Sequence, residues 1–261
     1  MPLVTTAAVV LQTHRYSETS KIVRLATRDL GVQSAIAKGV LRPKSRFGAA
    51  LEFLSEGEAQ LYFRDARELH TLAVFDVITL RRGLAEGVAR FAGGAAAAEV
   101  MLKMAPPSPL PAAYATLTAG LDQLATVPAA QVDATAVRTL WTLMAVLGFA
   151  VSLTECVRDG GAIDPDAPVA FSAAEGGVLC ARCAPPHPPT RLPPEDYRGL
   201  IALNDPGAAL PMLDAAHAAA HRRLVARFVQ YHIDVAPTSL SALDFWERHA
   251  WTPPRPKSAA S

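Results

Sequence analysis

Residues 21–37, KIVRLATRDLGVQSAIA, contain two runs in which polar and apolar residues alternate, separated by a segment that ends at Gly31. Such alternation is the period of a β-strand with one buried face, and a glycine between two such runs is typical of a tight turn. Further β-rich runs occupy residues 8–11, 51–63 and 69–80. Five short strands with tight connections predict a small closed barrel, because closure leaves no exposed sheet edge.

The pattern changes after residue 80, where residues that favour helices become frequent. Gly93-Gly94 weakens the middle of the first predicted helix, and prolines end it. The predicted helices span residues 84–104, 112–126, 132–147, 208–233 and 239–249, with another starting at about Pro194. The sequence therefore predicts an α+β fold with a barrel over residues 1–80, a helical domain over 81–150 and 190–250, an insertion over 151–189 and a flexible tail over 251–261.

The composition excludes several classes of protein. Hydrophobic residues make up 51% of the chain, which excludes wholesale disorder, and a net charge of +1 argues against a uniformly basic protein. The N-terminus lacks the basic start of a signal peptide, and the longest uncharged run falls short of the roughly 20 residues that span a bilayer. Three cysteines suit a reducing compartment. We therefore expect a soluble, cytoplasmic protein.

The charge is distributed unevenly along the chain. Residues 1–48 hold eight bases and two acids, a charge of +6, and the other residues hold 17 bases and 22 acids, a charge of −5. Residues 38–46, KGVLRPKSR, carry four bases in nine residues, and Gly39 and Pro43 favour a loop there. A basic loop between strands can follow a phosphate backbone. The alternative is that a half-exposed barrel simply needs solvated charge.

We assign seven basic residues within residues 1–48 as candidate DNA contacts, and three aromatic rings as candidate platforms for stacking bases. The candidate basic residues are Arg15, Lys21, Arg24, Lys38, Arg42, Lys44 and Arg46. The candidate aromatic residues are Tyr16, Phe47 and Phe53.

A second candidate site surrounds the motif Cys180-Ala181-Arg182-Cys183, which can present two thiolates to one tetrahedral ion. Cys156 lies 24 residues upstream, and the position where its partner cysteine is expected holds Asp159. The candidate ligands of one structural zinc ion are therefore Cys156, Asp159, Cys180 and Cys183, with His187 as another candidate for the fourth position. Another alternative is that the site has lost its metal and that packing alone holds this part of the fold. A redox role lacks the βαβ setting of thioredoxin-like motifs.

Sequence motifs for catalysis are absent. The chain contains no phosphate-binding G-x-x-x-x-G-K-[ST], no G-x-G-x-x-G and no H-E-x-x-H. His217 and His221 stand four residues apart, and we interpret them as half-exposed helix surface without an evident carboxylate partner. Asp164 and Asp166 flank Pro165 and are interpreted as turn residues. We therefore predict a protein that is not an enzyme.

Several motifs, taken in order, resemble the RecO family of bacterial DNA-repair and recombination-mediator proteins. The motifs are VVL at 9–11, YSETSKIV at 16–23, TRDLG at 27–31, AKGV at 37–40, RPKSR at 42–46, LGF at 147–149, CVRDG at 156–160, FS at 171–172, EGGVLC at 175–180 and YHI at 231–233. The resemblance covers residues 3 to 249. Asp159 departs from the family pattern, which has a second cysteine there.

The resemblance implies an N-terminal five-stranded OB-fold barrel, a helical domain and an inserted zinc-knuckle-like segment. It implies a role in homologous recombination of the RecF type: binding single- and double-stranded DNA, annealing complementary strands, and helping to load recombinase onto DNA coated with single-strand-binding protein (SSB). The implied partners are RecR, the acidic C-terminal tail of SSB and, indirectly, RecA. The implied location is the bacterial nucleoid.

An acidic tail that ends in apolar residues requires a hydrophobic groove with a basic rim. Arg222, Arg223 and Arg227 are the candidate rim residues, and the alternative is that they are ordinary solvated helix charges. Two other functions stay open: a module that binds only protein partners, and a metal-dependent hydrolase that uses Asp159, Asp164 and His187.

Overall fold

The computed structural model describes residues 2–43, 45, 47, 50–64, 67–186, 188, 190–233 and 240–249. The N-terminal part forms five strands, β1 Leu3–Arg15, β2 Lys21–Thr27, β3 Gly31–Ala37, β4 Glu56–Tyr62 and β5 Leu69–Thr79. Their order is β1-β2-β3-β5-β4, and β4 also pairs with β1, so the sheet closes on itself. The β3–β5 pair is parallel and the others are antiparallel. This five-stranded barrel is an OB-fold, and the predicted α+β fold is confirmed.

Strand β1 is much longer than the predicted run over residues 8–11. It spans 13 residues and pairs with β4 in continuous register from Leu3 opposite Tyr62 to Val9 opposite Glu56. The segment TTAA at its start lacks the alternation that signals a strand, and pairing with β4 fixes its conformation instead. The predicted run over 51–63 is too long, since β4 begins only at Glu56.

Within the described residues, six α-helices follow the barrel: α1 Val88–Met104, α2 Pro111–Thr126, α3 Val132–Val146, α4 Pro194–Asn204, α5 Ala215–His232 and α6 Ser241–Arg248. The glycine pair in α1 does not weaken it but lets neighbouring helices approach. A Cβ atom on Gly93 would lie 2.9 Å from Ala136 Cβ in α3, and one on Gly94 would lie 3.1 Å from Leu121 Cδ2 in α2. Both glycines are buried, so close helix packing explains them.

Helix α5 starts seven residues later than predicted. Pro211 lies in the segment that was predicted to be helical, and Asp214 caps the helix: its Oδ1 accepts the His217 N–H at 2.9 Å. The helix predicted to start near Pro194 is confirmed as α4. The tail over residues 251–261 lies outside the described residues.

The insertion forms a small antiparallel sheet, which the sequence did not predict. Its strands are β6 Val169–Ser172, β7 Gly177–Leu179 and β8 Arg191–Leu192, in the order β7-β6-β8. Phe171 of β6 contacts Trp141 of α3 and Phe228 of α5, with ring centroids 6.1 Å apart in each pair. The insertion therefore packs on the helical core.

The barrel and the helices share one hydrophobic core. Val9, Leu11, Ala26 and Val32 of the barrel belong to the same buried cluster as residues of the six helices. The buried Arg81 lies between β5 and α1; it contacts Glu56 of β4, and its Nε lies 2.6 Å from Asp122 Oδ1 in α2. Among the described residues, no helix is long and apolar enough to cross a membrane.

Candidate functional site

Strand register gathers four of the predicted DNA-contacting residues at one end of the barrel. Arg15 pairs with Lys21 across β1 and β2, and Lys21 pairs with Ala37, the residue before Lys38. The Leu41 N–H donates to the Thr19 carbonyl at 3.0 Å, which holds the loop that carries Arg42 against the β1–β2 turn. We call Arg15, Lys21, Lys38 and Arg42 the basic end. Lys44 and Arg46 lie outside the described residues.

The loop of the basic end is anchored from inside the barrel. Val40 is buried in the barrel core between the exposed residues Lys38 and Arg42. Gly39 has a φ of 73°, which permits the tight turn there, and the Arg42 N–H donates to its carbonyl at 3.1 Å. The charged side chains therefore project from a fixed support.

The charges of the basic end have no acidic partners among the residues that the structure describes. Within the described part of the chain, no carboxylate forms an ion pair with a residue of the basic end or with Arg24. Arg15 Nε donates to the Ser17 carbonyl across a long distance, 3.4 Å. These cations are thus free to neutralise an external anion.

The three candidate stacking residues differ in exposure. Tyr16, in the β1–β2 turn, is 59% exposed. Phe53 is also exposed and meets Phe91 edge to face, with ring centroids 5.7 Å apart. The assignment of Phe47 is wrong, because it is 3% exposed and belongs to the barrel core.

The cysteine region brings the four predicted metal ligands together. The candidate ligand atoms of Cys156, Asp159, Cys180 and Cys183 all lie within 4.8 Å of one another. Cys156 and Asp159 share a turn closed by the Gly160 N–H donating to the Cys156 carbonyl at 2.9 Å. Cys180 and Cys183 share a second turn, closed by the Cys183 N–H donating to the Cys180 carbonyl at 3.1 Å. We call these four residues the Cys3Asp cluster. His187 lies outside the described residues.

The chemistry of the Cys3Asp cluster fits a dication. Hydrogen bonds from the Gly161 N–H and from the neighbouring thiols hold the pKa of the Asp159 carboxyl well below its usual range. Desolvation and hydrogen bonding to Cys180 and Asp159 raise the pKa of the Cys183 thiol to about 12. The Cys183 thiol therefore resists ionisation by itself, and a bound dication would remove that penalty. Three thiolates and one carboxylate supply the four ligands of a tetrahedral zinc ion.

Two guanidinium groups lie beside the Cys3Asp cluster. Arg182 Nη2 donates to Asp159 Oδ2 at 3.0 Å. Arg158 donates to both oxygens of Glu175, at 2.6 and 2.8 Å, and to the Cys183 carbonyl at 2.8 Å. These positive charges offset part of the excess negative charge that three thiolates and a carboxylate would keep around a divalent ion.

The three candidate rim residues of α5 separate into two groups. Arg222 is 1% exposed, and its Nη1 lies 2.6 Å from Asp133 Oδ1 of α3, so its assignment to a surface rim is wrong. Arg223 and Arg227 are exposed. Arg227 lines an apolar cavity of about 290 Å³ with Phe171, Leu224 and Tyr231. The structure thus provides an apolar hollow with one basic side chain.

The histidine pair of α5 divides into two settings: His217 is half-exposed, as predicted, whereas His221 is buried, and both face carboxylates that the sequence did not reveal. His221 is 1% exposed, and its Nε2 lies 3.6 Å from Asp196 Oδ1 of α4. His217 Nδ1 lies 2.8 Å from Asp214 Oδ1, and its Nε2 lies 3.7 Å from Glu195 Oε2. The carboxylates come from α4 and from the cap of α5, which the spacing of the histidines does not reveal.

The fold and these two sites together define a class of protein: an OB-fold barrel with an unpaired basic end, joined through a shared core to a helical domain that carries a Cys3Asp cluster. The model of the "Recombination protein O N terminal" family matches residues 1–81, and that of the "Recombination protein O C terminal" family matches residues 86–241. The chain belongs to the recombination protein O (RecO) family.

Curated relatives agree with this membership. A protein from Rubrobacter xylanophilus named "DNA repair protein RecO" is 32% identical over 237 residues, which cover 89% of this chain and 92% of the relative. A protein of the same name from Nocardioides sp. is 30% identical over 249 residues, 91% of this chain and 97% of the relative.

Proposed function

We propose that this protein acts in recombinational DNA repair by binding single- and double-stranded DNA and annealing complementary strands, without catalysing a reaction. The observation that carries the proposal is the basic end, where three exposed cations and the half-buried Lys21 gather on a fixed support without acidic partners in the described part of the chain. Cations in this state release counterions from DNA when they contact its phosphates, and they do so without reading the sequence. The name of the curated relatives, DNA repair protein, agrees with this role.

Annealing follows from the same electrostatics. Two complementary strands repel each other through their phosphates until cations lower that repulsion. A surface that binds phosphates rather than base edges leaves the bases free to pair with a second strand. The same cations serve single and double strands, because both present a phosphate backbone.

The proposal is tested by removing two cations of the basic end. The Lys38→Ala/Arg42→Ala variant should bind single-stranded DNA at least tenfold more weakly. The slope of log K against the logarithm of the salt concentration should become shallower by about 1.4, because each phosphate contact contributes about 0.7 on single strands. The matched control Arg191→Ala/Arg223→Ala removes the same charge from exposed positions in β8 and α5. Equal affinities and slopes for the two variants would show that the basic end does not bind DNA.

Annealing is measured separately, as the rate at which two complementary labelled strands form a duplex. Wild-type protein should increase this rate. The Lys38→Ala/Arg42→Ala variant should lose the increase, and the Arg191→Ala/Arg223→Ala control should keep it. Wild-type protein that binds its protein partners but does not anneal DNA would instead favour the interaction-module alternative.

We further propose that the Cys3Asp cluster holds one structural zinc ion. When bound, the ion would supply a cross-link between the two turns and favour the thiolate state of the cysteines. Asp159 takes the place of the fourth thiolate, and its hydrogen bond from the Gly161 N–H orients the carboxylate toward the three sulfurs.

We also place the docking site for the SSB tail at the cavity formed by Phe171, Leu224, Arg227 and Tyr231. An acidic peptide that ends in apolar residues would place its last side chain in this hollow and its carboxylates beside Arg227. Family membership implies RecR as a further partner and, indirectly through recombinase loading, RecA. The unpaired cations and this hollow give the chain separate surfaces for DNA and for protein.

A further inference from the structure

A cavity of about 530 Å³ lies where β2 and β3 of the barrel meet the β4–β5 loop and the segment after α1. Its lining includes Arg24, Gln33, Ser34, Phe63, Arg67 and Pro107. It is separate from the basic end, although Lys21 and Arg24 belong to the same strand. Cavities of this size are typical of sites for small organic ligands.

The floor of this cavity is fixed by a hydrogen-bonded pair. Gln33 Nε2 donates to the Leu30 and Pro107 carbonyls, at 2.6 and 3.1 Å. Because the amide nitrogen is used in this way, Gln33 Oε1 accepts from His70 Nε2 at 3.0 Å, and His70 Nδ1 faces the Arg64 N–H at 3.5 Å. Gln33 and His70 are both buried, so the floor is rigid before any ligand arrives.

Arg24 gives the cavity a positive charge. It stands opposite Ser34 in the β2–β3 register, and both residues are half-buried. Its Nε atom is buried and has no hydrogen-bond partner among the described residues. The Arg24 side chain lines the cavity and has no carboxylate partner within the described residues, so its charge favours a ligand that brings an anionic oxygen. The exposed Arg67 adds a second positive charge to the lining.

An aromatic pair forms part of the cavity wall. The Phe63 ring stacks on the buried His70 ring, with centroids 4.3 Å apart and planes inclined by 24°. Phe63 is half-buried and lines the cavity. A ring held in this way is a suitable platform for a nucleobase, since every base has a face that stacks.

We propose that this cavity binds one nucleotide of the single strand, with its base against Phe63 and its phosphate at Arg24 and Arg67. Glu68 also lines the cavity; its carboxylate disfavours a bare phosphate and can accept a hydrogen bond from the exocyclic amino group of a base such as cytosine. This inference rests on the proposed DNA binding and adds a contact to the base, whereas the basic end contacts only the backbone.

The test compares an oligonucleotide of 15 cytidines with an abasic strand that has the same number of phosphates. Wild-type protein should bind the cytidine strand more tightly, and Phe63→Leu should reduce that preference about fivefold or more, because one stacked base is lost. Phe63→Tyr keeps a ring on His70 and should retain the preference. Tyr16→Leu tests the other exposed stacking candidate, in the β1–β2 turn, and Phe245→Leu is the matched control, since it removes an exposed aromatic ring from α6.

A second variant reports on the phosphate end of the cavity without touching the barrel core. Arg67 is exposed, so Arg67→Ala should weaken binding of both strands about threefold and lower the salt slope by about 0.7. Lys38→Ala/Arg42→Ala should weaken binding of both strands and leave the preference for the cytidine strand unchanged.

The outcomes separate this inference from the proposed function. If wild-type protein binds both strands and Phe63→Leu keeps the full preference for bases, the nucleotide site is overturned and DNA binding stands. If Tyr16→Leu rather than Phe63→Leu abolishes the preference, the base contacts lie at the β1–β2 turn instead. If neither strand binds, the proposed function and this inference both fail.

Discussion

Arg42 in the barrel and Arg222 in α5 carry the same charge in opposite settings. Arg42 is exposed on a loop and has no carboxylate partner within the described residues, whereas Arg222 is 1% exposed and pairs with Asp133. The same contrast holds more widely: no described carboxylate pairs with the basic end, while Arg158 pairs with Glu175 and Arg182 with Asp159. Arg158, Arg182 and Arg222 therefore join elements of the fold, whereas the cations of the basic end stay available to a ligand.

This comparison teaches that net charge is a poor guide to the role of a charged residue. A buried pair contributes mainly to the folded state, and its loss leaves an uncompensated charge. An exposed, unpaired cation contributes little to stability and more to association with an anion. The two regions should therefore respond differently to the same substitution.

The largest effect is expected at the buried pair. Arg222→Ala should lower the free energy of unfolding by about 3–5 kcal/mol, because Asp133 would be left partly buried without its partner. Denaturant titration measures the change, and Arg223→Ala on the same helix is the control, with an expected change within about 0.5 kcal/mol. A small effect of Arg222→Ala would mean that Asp133 finds another partner or water.

The Cys3Asp cluster should give the next largest effect. Asp159→Ala should reduce the zinc content of the purified protein well below one ion per chain, whereas Asp159→Cys should retain it. Removal of the ion by a chelator should lower the free energy of unfolding of the wild type by about 2–3 kcal/mol, the effect expected of a ligand present at about a hundredfold excess over its Kd. Metal analysis and thermal unfolding measure these changes. Asp164→Ala is the control, and zinc loss from it, or full zinc retention by Asp159→Ala, would contradict the assignment of the fourth ligand.

A smaller effect is expected at the apolar cavity of α5. Arg227→Glu should weaken binding of a labelled peptide with the acidic SSB tail about tenfold, since charge reversal replaces attraction by repulsion. Arg191→Glu, an equal charge reversal at an exposed position of β8, should leave the affinity unchanged. Fluorescence anisotropy measures both, and equal weakening by the two changes would indicate a non-specific electrostatic effect.

The smallest effect on stability is expected at the basic end. Lys38→Ala/Arg42→Ala should change the free energy of unfolding by no more than about 0.5 kcal/mol, because both side chains are exposed and unpaired. The same variant is expected to lose DNA affinity, so stability and binding should separate. A large loss of stability would show that these cations support the fold and would remove the contrast with Arg222.

Local patterns predicted the elements that have a strong period of their own. The alternation over residues 21–37 correctly indicated β2 and β3, and the Ala- and Leu-rich runs indicated α1, α2 and α3. Short strands such as β7 and β8 carry too few residues for a period, and they form because β6 supplies their partner. The start of α5 depends on the cap at Asp214, within a segment whose composition also suits a helix.

The candidate sites also divide into those that sequence spacing predicts and those that depend on contacts between distant segments. The residues of the Cys3Asp cluster were predictable, because the spacing of the cysteines encodes two turns. The burial of Arg222 was not, because its partner Asp133 lies 89 residues away in the sequence. The carboxylates beside His217 and His221, and the cavity at Arg24, likewise depend on contacts between distant segments.

The core shared by the barrel and the helices also has a consequence for the local concentration of DNA. Barrel residues such as Val9 and Val32 pack with the helices, and Arg81 contacts Glu56 on one side and Asp122 on the other. The proposed tail site at Arg227 and the basic end are therefore held at a set distance and orientation. A single-strand-binding protein docked at Arg227 would present its own DNA within the length of its tail linker, so encounter with the barrel would become intramolecular. The length of that linker, rather than any hinge in this chain, would then set the effective concentration of the strand.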